Sequence, residues 1–358
     1  MKKNKLLFTK VIPVMLLVLL ISGCGTDENS KNSAEGTVKT AKIKIGLSMG
    51  TLQEERWQTD LDVFVARAKE LSADVIVQNA DNDTNEQINQ VKYLLDQGID
   101  VLVIVPQDAE RFSSLVQLAK KQGTKVISYD RLIRNANVDM YISFDNVTVG
   151  KLLAQYLLKK VPRGNYEIIN GSPTDYNCTM INKGYMQVLL PYIENGSIKI
   201  VDESWAQAWK YELAFESVQN VLQRGKKIDG IIAGNDNLAA EAIKALSENQ
   251  LAGKVQVVGQ DADLSGCQRV VEGMQLMTVY KPIDNLAKTA AEIAISMAKG
   301  EQIKANSEIN DGKYNVPYYM LQPIPVTKEN MVSTIIHDGF HRLEDVYTNV
   351  PKNLWPKN

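Results

Sequence analysis

The sequence predicts an α/β protein of two similar lobes, each a parallel sheet clothed in helices. Three observations predict it. Short runs rich in Val and Ile, such as Val101–Val105, alternate with amphipathic helical patterns; near-continuous apolar strands are those buried on both faces of a parallel sheet. The alternation recurs at the spacing of βαβ units with right-handed crossovers. The rhythm then restarts near the middle of a chain of 358 residues, which is longer than one hydrophobic core usually serves.

In the first round, strands are expected at residues 43–49, 75–78, 101–105, 126–129 and 140–144, with helices at 54–71, 84–97, 109–122 and 147–160. In the second, strands are expected at 166–170, 198–201, 230–233, 255–258 and 277–280, with helices near 181–193, 211–223, 238–249 and 265–272. Residues 282–299 read as one more amphipathic helix, and 310–321 as a short strand region with turns. The tail, 331–358, carries Pro351 and Pro356 and reads as irregular.

The first residues stand apart. Lys2, Lys3, Lys5 and Lys10 are followed by an apolar run from Val11 to Ile21, broken only by Pro13, and by Ser22-Gly23-Cys24. A basic start, a short apolar run and small residues before a cut describe a secretory signal. The run is short of the roughly 20 residues that a membrane span needs. The small residues before Cys24 resemble a lipobox, which implies cleavage there and a diacylglyceryl thioether on its sulfur; the other reading is an ordinary signal with an accidental cysteine. Residues 26–41 are almost without apolar side chains, so they cannot offset their ordering entropy and read as a tether.

A net charge of −2 argues against nucleic acid, which asks for a basic face. A DNA-binding regulator would also carry a helix-turn-helix ahead of the lobes, where the signal and tether stand. With Cys24 acylated, Cys178 and Cys267 remain, either as a disulfide or as two free thiols. The two histidines, His337 and His341, have a spacing that suits a metal on a helix, but Asp338-Gly339 between them breaks one. There is no nucleophile–base pair, phosphate-binding glycine loop or cysteine metal site, so no catalytic residue, metal or cofactor is expected.

In open α/β sheets a ligand binds outside the carboxyl ends of the strands. The residues that follow the expected strands are Arg56 and Trp57; Asp130-Arg131; Ser172, Asp175 and Asn177; Trp205 and Trp209; Asn235-Asp236; Gln260 to Asp263; and Lys281. Guanidinium, carboxylate and amide groups bind hydroxyls in directed pairs, and indole faces suit the C–H side of a sugar ring. Asp130 and Asp261 would repel a phosphate, so the set suits a neutral sugar. Plainer readings stand beside this one. Asp236 and Asp263 could equally be helix N-caps, Trp205 and Trp209 could share one helical face, and Asp130-Arg131 could be a surface ion pair.

The segments "GTLQEERWQ", "VLVIVPQD", "ISYDRLI", "YISFDNVTVG", "GNYEIINGSPTDYN", "GNDNLAAEAIKAL", "GQDADLSG" and "MTVYKPI" resemble the xylose branch of the ribose/galactose-type periplasmic sugar-binding proteins, from Lys42 to about Met331. The resemblance implies a type I periplasmic-binding-protein fold, two Rossmann-like lobes joined by three strands, with crossings near Asn146, Lys281 and Pro323. That divides the chain into a lipoprotein signal at 1–23, a lipidated cysteine and tether at 24–41, a first lobe of 42–146 plus 282–322, and a second lobe and tail of 147–281 plus 323–358. It implies that Arg56, Asp130, Arg131, Asn177, Asn235, Asp261 and Lys281 hydrogen-bond D-xylose while Trp57 and Trp209 stack on its faces. One position departs: the family carries arginine where this chain has Asn182, a possible altered sugar contact. Lobe closure would then be read outside the cytoplasm, at the membrane, by an ABC permease or by the extracellular domain of a sensor histidine kinase.

Overall fold

The computed structural model describes residues 42–356. The signal, Cys24 and the tether fall outside them. Strand β1 (Lys44–Met49) runs buried from its second residue onward and pairs in parallel with β2 (Asp74–Asn79) and β3 (Val101–Val105). Helix α1 (Glu55–Glu70) links the first two and buries Arg56, Asp60, Phe64 and Ala68, the four-residue spacing of one helical face. Helix α2 (Thr84–Asp96) starts where the Asp83 carboxylate accepts from the Asn85 and Glu86 amides, satisfying two amides that have no partner inside the helix. After α3 (Ser113–Lys121) come β4 (Lys125–Tyr129) and β5 (Met140–Phe144), both parallel to β3.

The chain then leaves this sheet. Helix α4 (Asn146–Lys160) packs on α5 (Tyr176–Glu194), not on β5. Strands β6 (Gly164–Asn170), β7 (Ile198–Trp205), β8 (Gly230–Ala233), β9 (Gln256–Gln260) and β10 (Met277–Tyr280) form a second parallel sheet. Helices α6 (Glu212–Gln223), α7 (Asp236–Glu248) and α8 (Leu264–Glu272) clothe it. At Lys281 the chain returns: α9 (Ile283–Ala298) packs against α1, and β11 (Ser307–Asn310) with β12 (Asn315–Leu321) extends the first sheet beside β5. A third passage leads to β13 (Ile324–Val326), antiparallel to β10. The sheet orders are β11-β12-β5-β4-β3-β1-β2 and β13-β10-β9-β8-β6-β7. Two α/β lobes joined by three chain segments are the type I periplasmic-binding-protein fold.

Several elements differ from the sequence expectation. The helix expected from residue 109 begins at Ser113, because the Ala109 amide donates to Thr174 O in the other lobe. Helix α5 begins at Tyr176, ahead of residue 181, under an Asp175 cap that accepts from the Asn177 amide. Strand β7 runs on to Trp205. The tail is more ordered than it reads. Met331, Ile335, Val346 and Tyr347 are buried in one cluster with Cys267 and Val270 of α8. A π-helical stretch, Val332–Ile336, ends before His337, and Gly339 has φ 73°. The His341 ring nitrogen meets Ala262 O at 2.8 Å, which places it in a structural contact. Cys178 and Cys267 are both free and buried. Among the described residues no helix is long and apolar enough to cross a membrane.

Candidate functional site

The carboxyl ends of both sheets face one cavity between the lobes. All nine residues expected at the ligand line it: Arg56, Trp57, Asp130, Arg131, Asn177, Trp209, Asn235, Asp261 and Lys281. It holds about 370 Å³ of space not filled by protein atoms, the open solvent at its mouth included.

From the first lobe, β1 delivers α1, whose first turn carries Arg56 and Trp57. The Arg56 guanidinium donates to Asp60 at 3.2 Å and to Asp130 at 2.8 Å, and lies 3.9 Å from Asp261 of the second lobe. It also lies over the Trp57 ring, 4.3 Å from its centroid. Burial works against the cation, but Asp130, Asp60 and Asp261 outweigh it and hold it firmly protonated. Burial would likewise raise Asp130, yet Arg56, Lys281 and Arg131 outweigh it and hold its carboxyl below the usual range. Asp60 behind it is raised by burial in spite of Arg56, and the Tyr129 hydroxyl donates to it. Asp130 and Arg131 do not pair with each other, so the surface-ion-pair reading fails. Arg131 instead forms an ion pair with Asp175 of the second lobe at 2.8 Å, with the rings of Trp57 and Trp209 at 5.3 and 6.0 Å.

From the second lobe, the first turn of α5 presents Asn177, whose amide nitrogen donates to Asp130 O at 3.1 Å. The Asn235 side-chain oxygen accepts from the Leu238 amide at 2.9 Å, so a ligand meets its NH₂ donors. Trp209 follows Ala208, both left-handed at φ 56° and 53°. Its ring then packs so closely on Gly171 that a Cβ there would lie 2.2 Å from it. Asp261 is also left-handed, at φ 94°, and Asp130 at φ 59°. Such backbone strain gathers where the surroundings fix a site. Lys281, at a passage between lobes, pairs with Asp261 Oδ1 at 2.6 Å, close in distance but outside hydrogen-bond angles.

Asn182 is not brought to the cavity. Its amide donates to Glu203 at 2.8 Å and Asn170 at 3.3 Å, so the helix turns it toward β7 while Ile181 faces the site. Asp236 is a structural group: it accepts from Gln275 at 2.7 Å and from Thr278 at 2.8 Å. Asp263 opens α8 but makes no side-chain cap, accepting from Asn237 instead. Trp205 and Trp209 belong to the same core, but only Trp209 also lines the cavity. Sequence reasoning missed Glu54, Asn146, Cys178 and Ile181 as lining residues. Asn146 follows the end of β5, and the strand-end rule applied there would have found it.

Five buried atoms at the cavity have no hydrogen-bond partner among the described residues: Glu54 Oε2, Gln260 Oε1, Asp261 Oδ1, Trp57 Nε1 and Trp209 Nε1. Three accept and two donate, and a hydroxyl can do both. Three cations and four carboxylates leave little net charge to attract an ion. The fold and this lining define a two-lobed receptor for a small polar ligand, built to bind.

The comparisons with known proteins agree. Residues 45–302 match the periplasmic binding protein domain. The chain is 48% identical to the D-xylose-binding periplasmic protein of Haemophilus influenzae, over 85% of this chain and 92% of that one. It is 46% identical to the D-xylose-binding periplasmic protein of Escherichia coli, over 84% and 92%. A carbohydrate transporter solute binding protein from Chloroflexus aurantiacus, solved in complex with D-glucose, is 27% identical with a TM-score of 0.79, covering 85% of this chain and 97% of that one. The chain belongs to the periplasmic binding protein family, whose sugar-binding members bind their ligands without catalysis and whose relatives here are extracytoplasmic.

Proposed function

We propose that this protein binds D-xylose in the cleft between its lobes and that a membrane partner, an ABC sugar permease, reads the closed form. The observation that carries the reading is the 48% and 46% identity, over 85% and 84% of the chain, to two D-xylose-binding proteins. The cavity lining supports it. Arg56, Asp130, Arg131, Asn177, Asn235, Asp261 and Lys281 hydrogen-bond the sugar, and Trp57 and Trp209 stand against its two faces. Cys24 carries the lipid that holds the domain at the outer membrane surface, and more than one acyl chain makes such an anchor stable.

Titration calorimetry of the chain after Cys24 with D-xylose, L-arabinose, D-ribose and D-glucose tests the ligand. One-to-one binding of D-xylose in preference to the others is expected. Folded protein that ignores D-xylose overturns the assignment. A pull-down from membranes then tests the partner: recovery of a sensor histidine kinase in place of a permease would make the protein a sugar sensor.

A further inference from the structure

Glu54 was not expected at the ligand, yet its side chain is 6% exposed and lines the cavity. It occupies the N-cap position of α1 but makes no side-chain cap, so the carboxylate is turned away from its own helix. One oxygen, Oε1, accepts from the Tyr211 hydroxyl at 3.0 Å. Tyr211 sits at the start of α6, in the opposite lobe. The other oxygen, Oε2, is buried with no hydrogen-bond partner among the described residues. A carboxylate only accepts, so the group that satisfies Oε2 must be a donor. Leaving a buried charged oxygen undonated is costly. Burial, and then the Glu54 carboxylate, push the Tyr211 phenol well up, so Tyr211 remains the donor to Oε1 across the neutral range.

We propose that Glu54 accepts one hydroxyl of the bound sugar through Oε2 while Oε1 latches the two lobes through Tyr211, so that a single carboxylate couples sugar recognition to closure. The proposal rests on the sugar-binding reading above. It makes Glu54 a specificity residue: a sugar lacking that one hydroxyl leaves Oε2 unpaired, and a sugar bearing a carboxylate there is repelled.

The test uses the full-length protein as wild type, Glu54→Leu, Glu54→Gln and Tyr211→Phe, each checked for native circular dichroism. Each is titrated with D-xylose, L-arabinose, D-ribose and D-glucose, then with the 2-, 3- and 4-deoxy forms of whichever sugar the wild type binds best. Glu54→Leu is expected to weaken the best sugar about tenfold or more beyond the factor lost in Tyr211→Phe, while the one deoxy form that lacks the Glu54-facing hydroxyl loses only that common factor. Glu54→Gln, which keeps an acceptor, should show the same selective pattern with a smaller loss. Tyr211→Phe should weaken every sugar by one common factor. Equal weakening of all sugars by Glu54→Leu, or none, overturns the proposal. If another sugar of the panel binds and D-xylose does not, the D-xylose assignment falls and Glu54 is judged on that sugar. If folded wild type binds none of them, both fall.

Discussion

Asp130 carries three duties at once. Its carboxylate holds Arg56 at 2.8 Å, its carbonyl accepts from Tyr141 and Asn177, and its left-handed backbone turns the chain after β4. Removing the carboxylate leaves the buried Arg56 with Asp60 and a distant Asp261. Breaking a buried pair costs about 3–5 kcal/mol, so Asp130→Ala should lower the unfolding free energy by about that much and abolish sugar binding, whereas Asp130→Asn should keep the fold with weaker binding. Urea unfolding and calorimetry on the two variants separate these outcomes. A second residue, away from the cleft, sets a pH dependence. Glu167 is fully buried on β6, and burial raises its carboxyl from 4.5 to about 7 despite the Ser217 hydroxyl that donates to it at 2.7 Å, with Asp202 adding to the rise and Arg224 opposing it. The folded state therefore holds this proton more tightly than the unfolded chain. Its contribution is complete below about 4.5 and drains as pH rises through about 7. At about 1.4 kcal/mol per unit the loss is roughly 3 kcal/mol. Glu167→Gln should flatten that slope in unfolding curves between pH 4.5 and 8; an unchanged slope would assign it to other groups.

Among the elements, strands were the most legible. Val101–Val105 and Met140–Phe144 stand where the apolar runs put them, because burial on both faces makes the runs nearly continuously apolar, with Ser143 their one polar member. Helix starts were less legible, because long-range contacts set them. Asp175 is both the cap of α5 and the partner of Arg131 from the other lobe, and no local pattern announces the second contact. Ala109 and the tail show the same limit: their partners, Thr174 and α8, are distant in sequence. The gathering of nine expected residues was legible because strand ends converge in this topology. Glu54 was overlooked and Asn182 was entertained as a sugar contact because a residue's side of its helix, not its distance from a motif, decides what it meets. The α4–α5 pair illustrates how closely elements fix the site. A Cβ on Gly184 would lie 2.1 Å from Val147 O, and one on Gly150 would lie 2.0 Å from Ile181 O. Gly184→Ala should therefore force the helices apart. Overpacking of this kind costs about 1–3 kcal/mol, and because the first turn of α5 carries Asn177, sugar affinity should fall with stability. A variant with native affinity and native melting would show that the helices part at no cost to the site.

For the whole molecule, several polar contacts run directly from lobe to lobe. Arg131 meets Asp175 at 2.8 Å, Tyr141 meets Asn177 at 3.2 Å, and the Leu264 amide meets Glu55 at 3.3 Å. These bonds set how often the lobes close alone, and a sugar adds only its preference for the closed form over the open one. A hundredfold preference would turn an even mixture into about 100:1 closed, whereas equal affinity would shift nothing. Small-angle scattering on the protein with and without saturating D-xylose measures this. A smaller radius of gyration with sugar, together with a larger one for Tyr211→Phe without sugar, is expected from lobes that open about the three connecting segments. The same radius in all three samples would mean that the lobes rest closed, and then closure could not be what a membrane partner reads.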